Sequence, residues 1–122
     1  MNKRILVIDD EEIVRICCER SLAPEGYDVV TAETGPEGLQ KLWDAHFDLV
    51  ITDLKMPEMD GLEVLAHIRK ARPETKVIIV TGYDTEGTTN EIMDAGACGY
   101  LGKPFCPEDL MTAVHKTIGP AC

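Results

Sequence analysis

Three aspartates and one lysine carry the chemistry that can be read from this chain. Asp9 and Asp10 follow the apolar run Ile5–Ile8, Asp53 follows Leu49–Thr52, and Lys103 follows Cys98–Leu101. A further run, Lys76–Thr81, ends in a hydroxyl. If these runs are parallel strands of one sheet, their carboxyl ends share one edge. Ligands of open parallel sheets bind outside that edge, near the point where the strand order reverses. Helix capping explains any single Asp in such a place; it does not explain carboxylates, a hydroxyl and an ammonium together on four strand ends. Carboxylates that share a pocket raise one another's pKa unless a cation compensates. A hard divalent ion such as Mg2+, which takes one or two carboxylates together with water and phosphate oxygens, suits the set. A carboxylate beside such an ion can attack phosphorus and become an aspartyl phosphate. Lys103 then offers a point charge to the phosphoryl oxygens, and Thr81 a hydroxyl donor. Positioning and charge neutralisation are most of what phosphoryl transfer requires.

The elements that must hold these residues are legible in the hydrophobic pattern. With Asp28–Ala32 added, five β-type runs alternate with helical patterns. Runs such as Ile5-Leu6-Val7-Ile8 are continuously apolar, as expected of strands buried on both faces. The alternation predicts a doubly wound α/β sandwich around a parallel sheet. Four helices announce themselves by inward stripes: Val14, Cys18 and Leu22; Leu39, Leu42 and Trp43; Val64, Leu65 and Ile68; Leu110, Val114 and Ile118. Thr34-Gly35-Pro36-Glu37 has the form of a capping box with an early proline, and Asp60-Gly61 and Pro107-Glu108-Asp109 also read as helix starts. The fourth of the five helices, over residues 85–95, contains Gly87, Thr88, Thr89 and Asn90, all poor helix formers. It is predicted to be short and easily displaced.

Bulk properties narrow the function classes. A chain of 122 residues suits one domain, expected to be residues 1–122 without an output domain, and 44% hydrophobic residues exclude a disordered tail. No apolar run approaches the roughly 20 residues that span a bilayer. The four apolar residues ahead of Asp9 are too few for a signal peptide, so a cytoplasmic location with no membrane contact is expected. With 12 basic and 22 acidic residues, a net charge of -10, the chain lacks the cationic face that nucleic acid binding needs. Cys17, Cys18, Cys98, Cys106 and Cys122 form no C-x-x-C pair, and His46, His67 and His115 are scattered, which gives a structural zinc site little support. An odd cysteine count without a secretion signal argues for reduced thiols.

The segments ILVIDDEE, DLVITDLKMPEMDG, VIIVTGY and AGACGYLGKPF resemble the receiver (CheY-like) domain of two-component response regulators, over nearly the whole chain. The resemblance implies a flavodoxin-like (βα)5 sandwich with strand order 2-1-3-4-5. It implies Asp53 as phosphoacceptor and Asp10 as the principal Mg2+ ligand, with Asp9 acting alongside, partly through water. The backbone carbonyl of Lys55 completes the metal site, and Mn2+ is an expected substitute. Thr81 and Lys103 correspond to the phosphate-binding switch hydroxyl and lysine, Lys103-Pro104 to a cis peptide, and Tyr100 to the aromatic switch position. The implied cycle starts with a phosphohistidine presented by a sensor histidine kinase or phosphotransfer protein. Asp53 attacks it, Thr81 moves toward the new phosphoryl oxygens and Tyr100 turns inward. The face of the fourth helix, fifth strand and fifth helix then changes shape for an output domain or a downstream protein; phosphorylation-dependent homodimerisation stays open. No enzyme activity is expected beyond self-phosphorylation from small donors and slow autodephosphorylation. Lys55 and Tyr83 lie where the family varies, flanking the path of the hydrolytic water, and their bulk predicts a long-lived phosphoryl group. Gly82 replaces an alanine common in the family, and Cys106 stands where a better helix cap is expected before Pro107.

Three other readings fit less well. A phosphatase of the haloacid-dehalogenase type needs a second Asp two residues after its nucleophile, and that position is Lys55. A flavodoxin-like electron carrier needs a Ser/Thr/Gly-rich loop after its first strand, and Asp9-Asp10-Glu11-Glu12 repels a phosphate there. A phosphorylation-independent protein-binding module would have lost some of the five site residues, and all are present.

Overall fold

The five apolar runs form five parallel strands in the order β2-β1-β3-β4-β5: β1 is Arg4–Ile8, β2 Asp28–Ala32, β3 Leu49–Asp53, β4 Lys76–Thr81 and β5 Gly99–Gly102. Helices α1 (Glu12–Leu22), α2 (Gly35–Asp44), α3 (Gly61–Ala71), α4 (Glu86–Asp94) and α5 (Pro107–Ile118) connect or follow them. This computed structural model describes residues 2–82 and 86–122. Alternation of side chains along each strand splits the core into two layers. Leu6, Ile8, Val50 and Ile79 face Leu42, Val64, Leu65 and Ile68 of α2 and α3, and Ile92 of α4. Ile5, Val7, Leu49, Ile51, Ile78 and Val80 face Cys18 and Leu22 of α1 and Leu110 and Val114 of α5. Both faces of the sheet are therefore covered, which is why its inner strands are continuously apolar. Among the described residues, no helix is long and apolar enough to cross a membrane.

Register brings the strand ends level. Ile8 is paired with Ala32 on one side and Thr52 on the other, Asp53 with Val80, and Thr81 with Gly102. The side chains that follow these pairs emerge at one edge of the sheet. At the opposite edge the C-terminal segment is tied to the start of the chain. The Lys3 amide donates to Ala121 O at 2.8 Å, Tyr27 Oη donates to Gly119 O at 2.6 Å, and Ala121 is buried.

Three local expectations need correction. The fifth strand begins at Gly99, one residue later than the apolar run suggests, and Cys98 is exposed while its amide donates to Val77 O. Trp43 is 39% exposed rather than inward. It lies about 100° round the helix from Leu42, at the rim of the buried stripe, where the Arg72 guanidinium stacks 5.6 Å over its ring. Thr34 does cap α2, accepting from the Glu37 amide at 3.2 Å. The Glu37 carboxylate, however, accepts from the Glu33 amide and pairs with Lys41, so the box is not reciprocal. A reciprocal box does open α3, where Asp60 accepts from the Glu63 amide at 2.9 Å and Glu63 from the Asp60 amide at 3.3 Å.

Candidate functional site

Each acidic residue at the crevice is held by a different local device. Asp9 follows β1, and its amide still donates to Ala32 O at 3.1 Å. Its Oδ1 accepts from the Glu11 amide at 2.9 Å, and Arg15 Nη1 reaches back from α1 to Asp9 O at 2.7 Å. The turn that carries Asp9 and Asp10 is thus bonded to its own helix. Asp53 ends β3, and the next amide, Leu54, donates to Val80 O at 2.8 Å. Behind it, Gly61 opens α3 directly against this backbone. A Cβ there would stand 2.5 Å from Asp53 O and 3.0 Å from Leu54 Cα, so only glycine allows the approach. Lys103 leaves β5 with its amide donating to Thr81 O at 2.8 Å, and the Lys103-Pro104 bond is cis.

These devices converge. Carboxylate oxygens of Asp9, Asp10 and Asp53 lie within 4.8 Å of one another. Lys103 Nζ lies 3.2 Å from Asp9 Oδ2, 3.3 Å from Asp53 Oδ2 and 2.7 Å from Glu11 Oε1. Burial pushes the Asp53 carboxyl up to about 6, with the Asp9 charge adding to the rise and Lys103 opposing it. Burial also raises Asp9 above the usual carboxylate range, against the pull of the Glu11 amide and Lys103. Burial works against the charged form of Lys103, but its Glu11 hydrogen bond and the Asp9 and Asp53 charges outweigh it and hold the ammonium above the ordinary lysine range. Glu11 is held below the usual range by the Lys103 hydrogen bond. One ammonium thus contacts three carboxylates, and Asp10 adds a fourth to the cluster. Asp9, Asp10 and Asp53 offer hard oxygen ligands close enough for one divalent cation, with the exposed Asp10 at the solvent side. The residues present fit Mg2+ in donor type, spacing and charge.

The remaining sequence candidates are spread around this cluster. Thr81 is fully buried at the end of β4. Lys55 is exposed in the loop between β3 and α3, the loop in which Glu58 adopts φ +69. Tyr100 points outward from β5, 43% exposed, in a surface groove with Met93, Ala113 and Lys116. Tyr83 lies outside the described residues. Glu11 is the residue that sequence reasoning passed over, since it counted only as part of a repelling acidic run. Its signal was a third acid in the turn that carries Asp9 and Asp10, across the crevice from the lysine that follows β5.

Comparison with known proteins gives this geometry a family. A family model described as the response regulator receiver domain matches residues 5–115. The alkaline phosphatase synthesis transcriptional regulatory protein PhoP of Bacillus subtilis is 36% identical over 118 residues, covering 97% of this chain and 49% of PhoP. The response regulator MprA of Mycobacterium sp. (strain KMS) is 39% identical, covering 97% of this chain and 51% of MprA. The chain therefore spans about half the length of these curated relatives. Among solved structures, the chemotaxis protein CheY4 of Vibrio cholerae superposes with a TM-score of 0.92 at 32% identity, covering 97% of this chain and all of CheY4. The response regulator TrrA of Thermotoga maritima, solved in complex with Mg2+ and beryllofluoride, superposes with a TM-score of 0.85 at 39% identity, covering 95% of this chain and 99% of TrrA. This chain belongs to the response regulator receiver domains, the phosphoacceptor signalling switches of two-component systems.

Proposed function

We propose that Asp53 is the phosphoacceptor of this receiver and that residues 1–122 act as one switching unit. The observation that carries this reading is the position of its carboxylate. Asp53 ends the central strand, lies 3.3 Å from Lys103 Nζ, and shares one cluster with Asp9 and Asp10. Its attack on a phosphohistidine forms an O–P bond and breaks the P–N bond. The electron pair passes to the imidazole nitrogen, which is reprotonated. The donor is a sensor histidine kinase or a phosphotransfer protein, and small phosphoryl donors serve in its place. Asp9, Asp10, Asp53 and the Lys55 carbonyl would hold the divalent ion. When bound, Mg2+ supplies charge neutralisation and orientation for the phosphoryl oxygens, and the beryllofluoride complex of TrrA supports that assignment.

Lys103 balances charge on the reacting phosphoryl group, and Thr81 donates its hydroxyl to it. Tyr100 then leaves its outward position. The surface formed by α4, β5 and α5 changes with it, for an output domain or a separate protein. Among the described residues of α4, Ile92 is the buried one, which keeps the cost of displacing this helix low. The Lys55 side chain beside the crevice slows the hydrolytic water, with Tyr83 as its counterpart. Intact mass after incubation with acetyl phosphate and Mg2+ tests the assignment. One added phosphoryl group is expected, absent in Asp53→Asn and with chelator. An adduct that persists in Asp53→Asn would move the acceptor elsewhere.

A further inference from the structure

We infer that Glu11 is a positioning residue that parks Lys103 in the unphosphorylated state and competes with the incoming phosphoryl group for its ammonium. Among the three carboxylates around Lys103 Nζ, Glu11 makes the shortest contact, 2.7 Å against 3.2 and 3.3 Å for Asp9 and Asp53. The local structure gives this carboxylate no other task. Glu11 occupies the N-cap position of α1 with extended backbone, φ -95 and ψ 117, yet its side chain makes no capping hydrogen bond. Its carbonyl starts the helix by accepting from Val14 and Arg15, and its amide is spent on Asp9 Oδ1. An acidic side chain at a helix N-terminus ordinarily turns to the free amides of the first turn. Here it crosses to Lys103, the residue after β5, instead. Asp9 and Asp53 are fixed by burial and backbone bonds, whereas the Glu11 carboxylate is solvent-exposed on a long side chain, so it is the partner that can let go.

A phosphoryl group on Asp53 adds anionic oxygens beside Lys103. The ammonium has three donors in all; phosphorylation of Asp53 frees the one that faced it, and a second phosphoryl contact requires it to release Asp9 or Glu11. Releasing Glu11 returns an exposed group to water. Releasing Asp9 would leave a buried carboxylate without its counterion, which costs far more. Glu11 thus sets a threshold. It lowers the affinity of the resting protein for a phosphoryl group, and it stands ready to recapture Lys103 after dephosphorylation.

This inference rests on the reading of Asp53 as phosphoacceptor, and beryllofluoride titration at saturating Mg2+ separates the two. The parent, Glu11→Gln and Glu12→Gln are compared, with melting curves to establish folding. Glu12 is the exposed neighbour with no ion pair among the described residues, so its variant removes the same charge without touching Lys103. Glu11→Gln should bind beryllofluoride roughly three- to five-fold more tightly than the parent, the range expected for losing one exposed ion-pair competitor. Glu12→Gln should stay close to the parent. Equal or weaker binding by Glu11→Gln overturns the inference, and so does an equal gain in Glu12→Gln, which would make the effect one of general charge. A folded parent that binds Mg2+ but no beryllofluoride overturns the phosphoacceptor reading and the inference with it.

Discussion

Helices α3 and α4 flank the same crevice but are secured in opposite ways. α3 opens with a reciprocal capping box, begins with a glycine pressed against the Asp53 backbone, and buries Val64, Leu65 and Ile68. α4 is nine residues long, carries Gly87, Thr88, Thr89 and Asn90, and anchors itself through Ile92. One wall fixes Asp53, the proposed acceptor, and the other is free to respond to it. A switch needs both, because an acceptor on a mobile wall loses its geometry and a rigid output wall transmits nothing.

The largest test of this contrast is Gly61→Ala. Its Cβ meets backbone atoms of Asp53 and Leu54 that cannot move without shifting the end of β3. A loss of about 3 kcal/mol is expected, by the overpacking argument, with beryllofluoride binding lost in whatever protein remains folded. Parent-like melting and binding would show that the α3 wall is adjustable.

A smaller effect is expected from Asp53→Asn without Mg2+. The folded-state pKa of about 6 lies above the ordinary 3.8. Between about pH 4 and pH 6 the folded protein holds more protons than the unfolded chain, so stability falls as pH rises through that window and the penalty is complete above it. Asp9 is shifted in the same direction. Denaturant titrations across this range should show the Asn variant matching the parent near pH 4 and exceeding it by about 1–3 kcal/mol at pH 7. Added Mg2+ should close the gap by stabilising the parent more. Parallel pH profiles for the two proteins would mean that the fixed wall holds no such charge strain.

The smallest effect belongs to the other wall. A Cβ on Gly87 meets nothing within 4 Å. Gly87→Ala should therefore stabilise α4 locally by about 0.5–1 kcal/mol. The gain should be visible as slower amide hydrogen exchange in α4, with little change in global unfolding. A rise confined to the global transition, with α4 exchange unaltered, would mean that α4 is as firmly built as α3.

How much of this was legible in the sequence follows the same division. β2 and β4 run as the apolar pattern indicates, and the gathering of Asp9, Asp10, Asp53 and Lys103 follows from parallel connectivity, whereas the strand order came from the family resemblance. The shortness of α4 was equally readable, since it lies in local residue types. What escaped was set by tertiary partners. The exposure of Trp43 depends on Arg72, 29 residues away in sequence. The turn of Glu37 toward Glu33 depends on loop geometry that propensities do not encode. Glu11 escaped because its role is a contact 92 residues away in sequence, and its own neighbours suggest only repulsion or a cap.

The knot of contacts at the opposite edge has a topological meaning. Lys3 bonds Ala121, and Cys122 Sγ lies 3.4 Å from Asn2 Oδ1. Residues 2–3 and 121–122 thus meet at the pole opposite the acidic crevice, and linking them there would cost little loop entropy. The order in which the strands are threaded is then separable from the chemistry, since the crevice depends on register across the sheet. A permuted chain, sealed at that pole and opened at an exposed loop, should keep the same site.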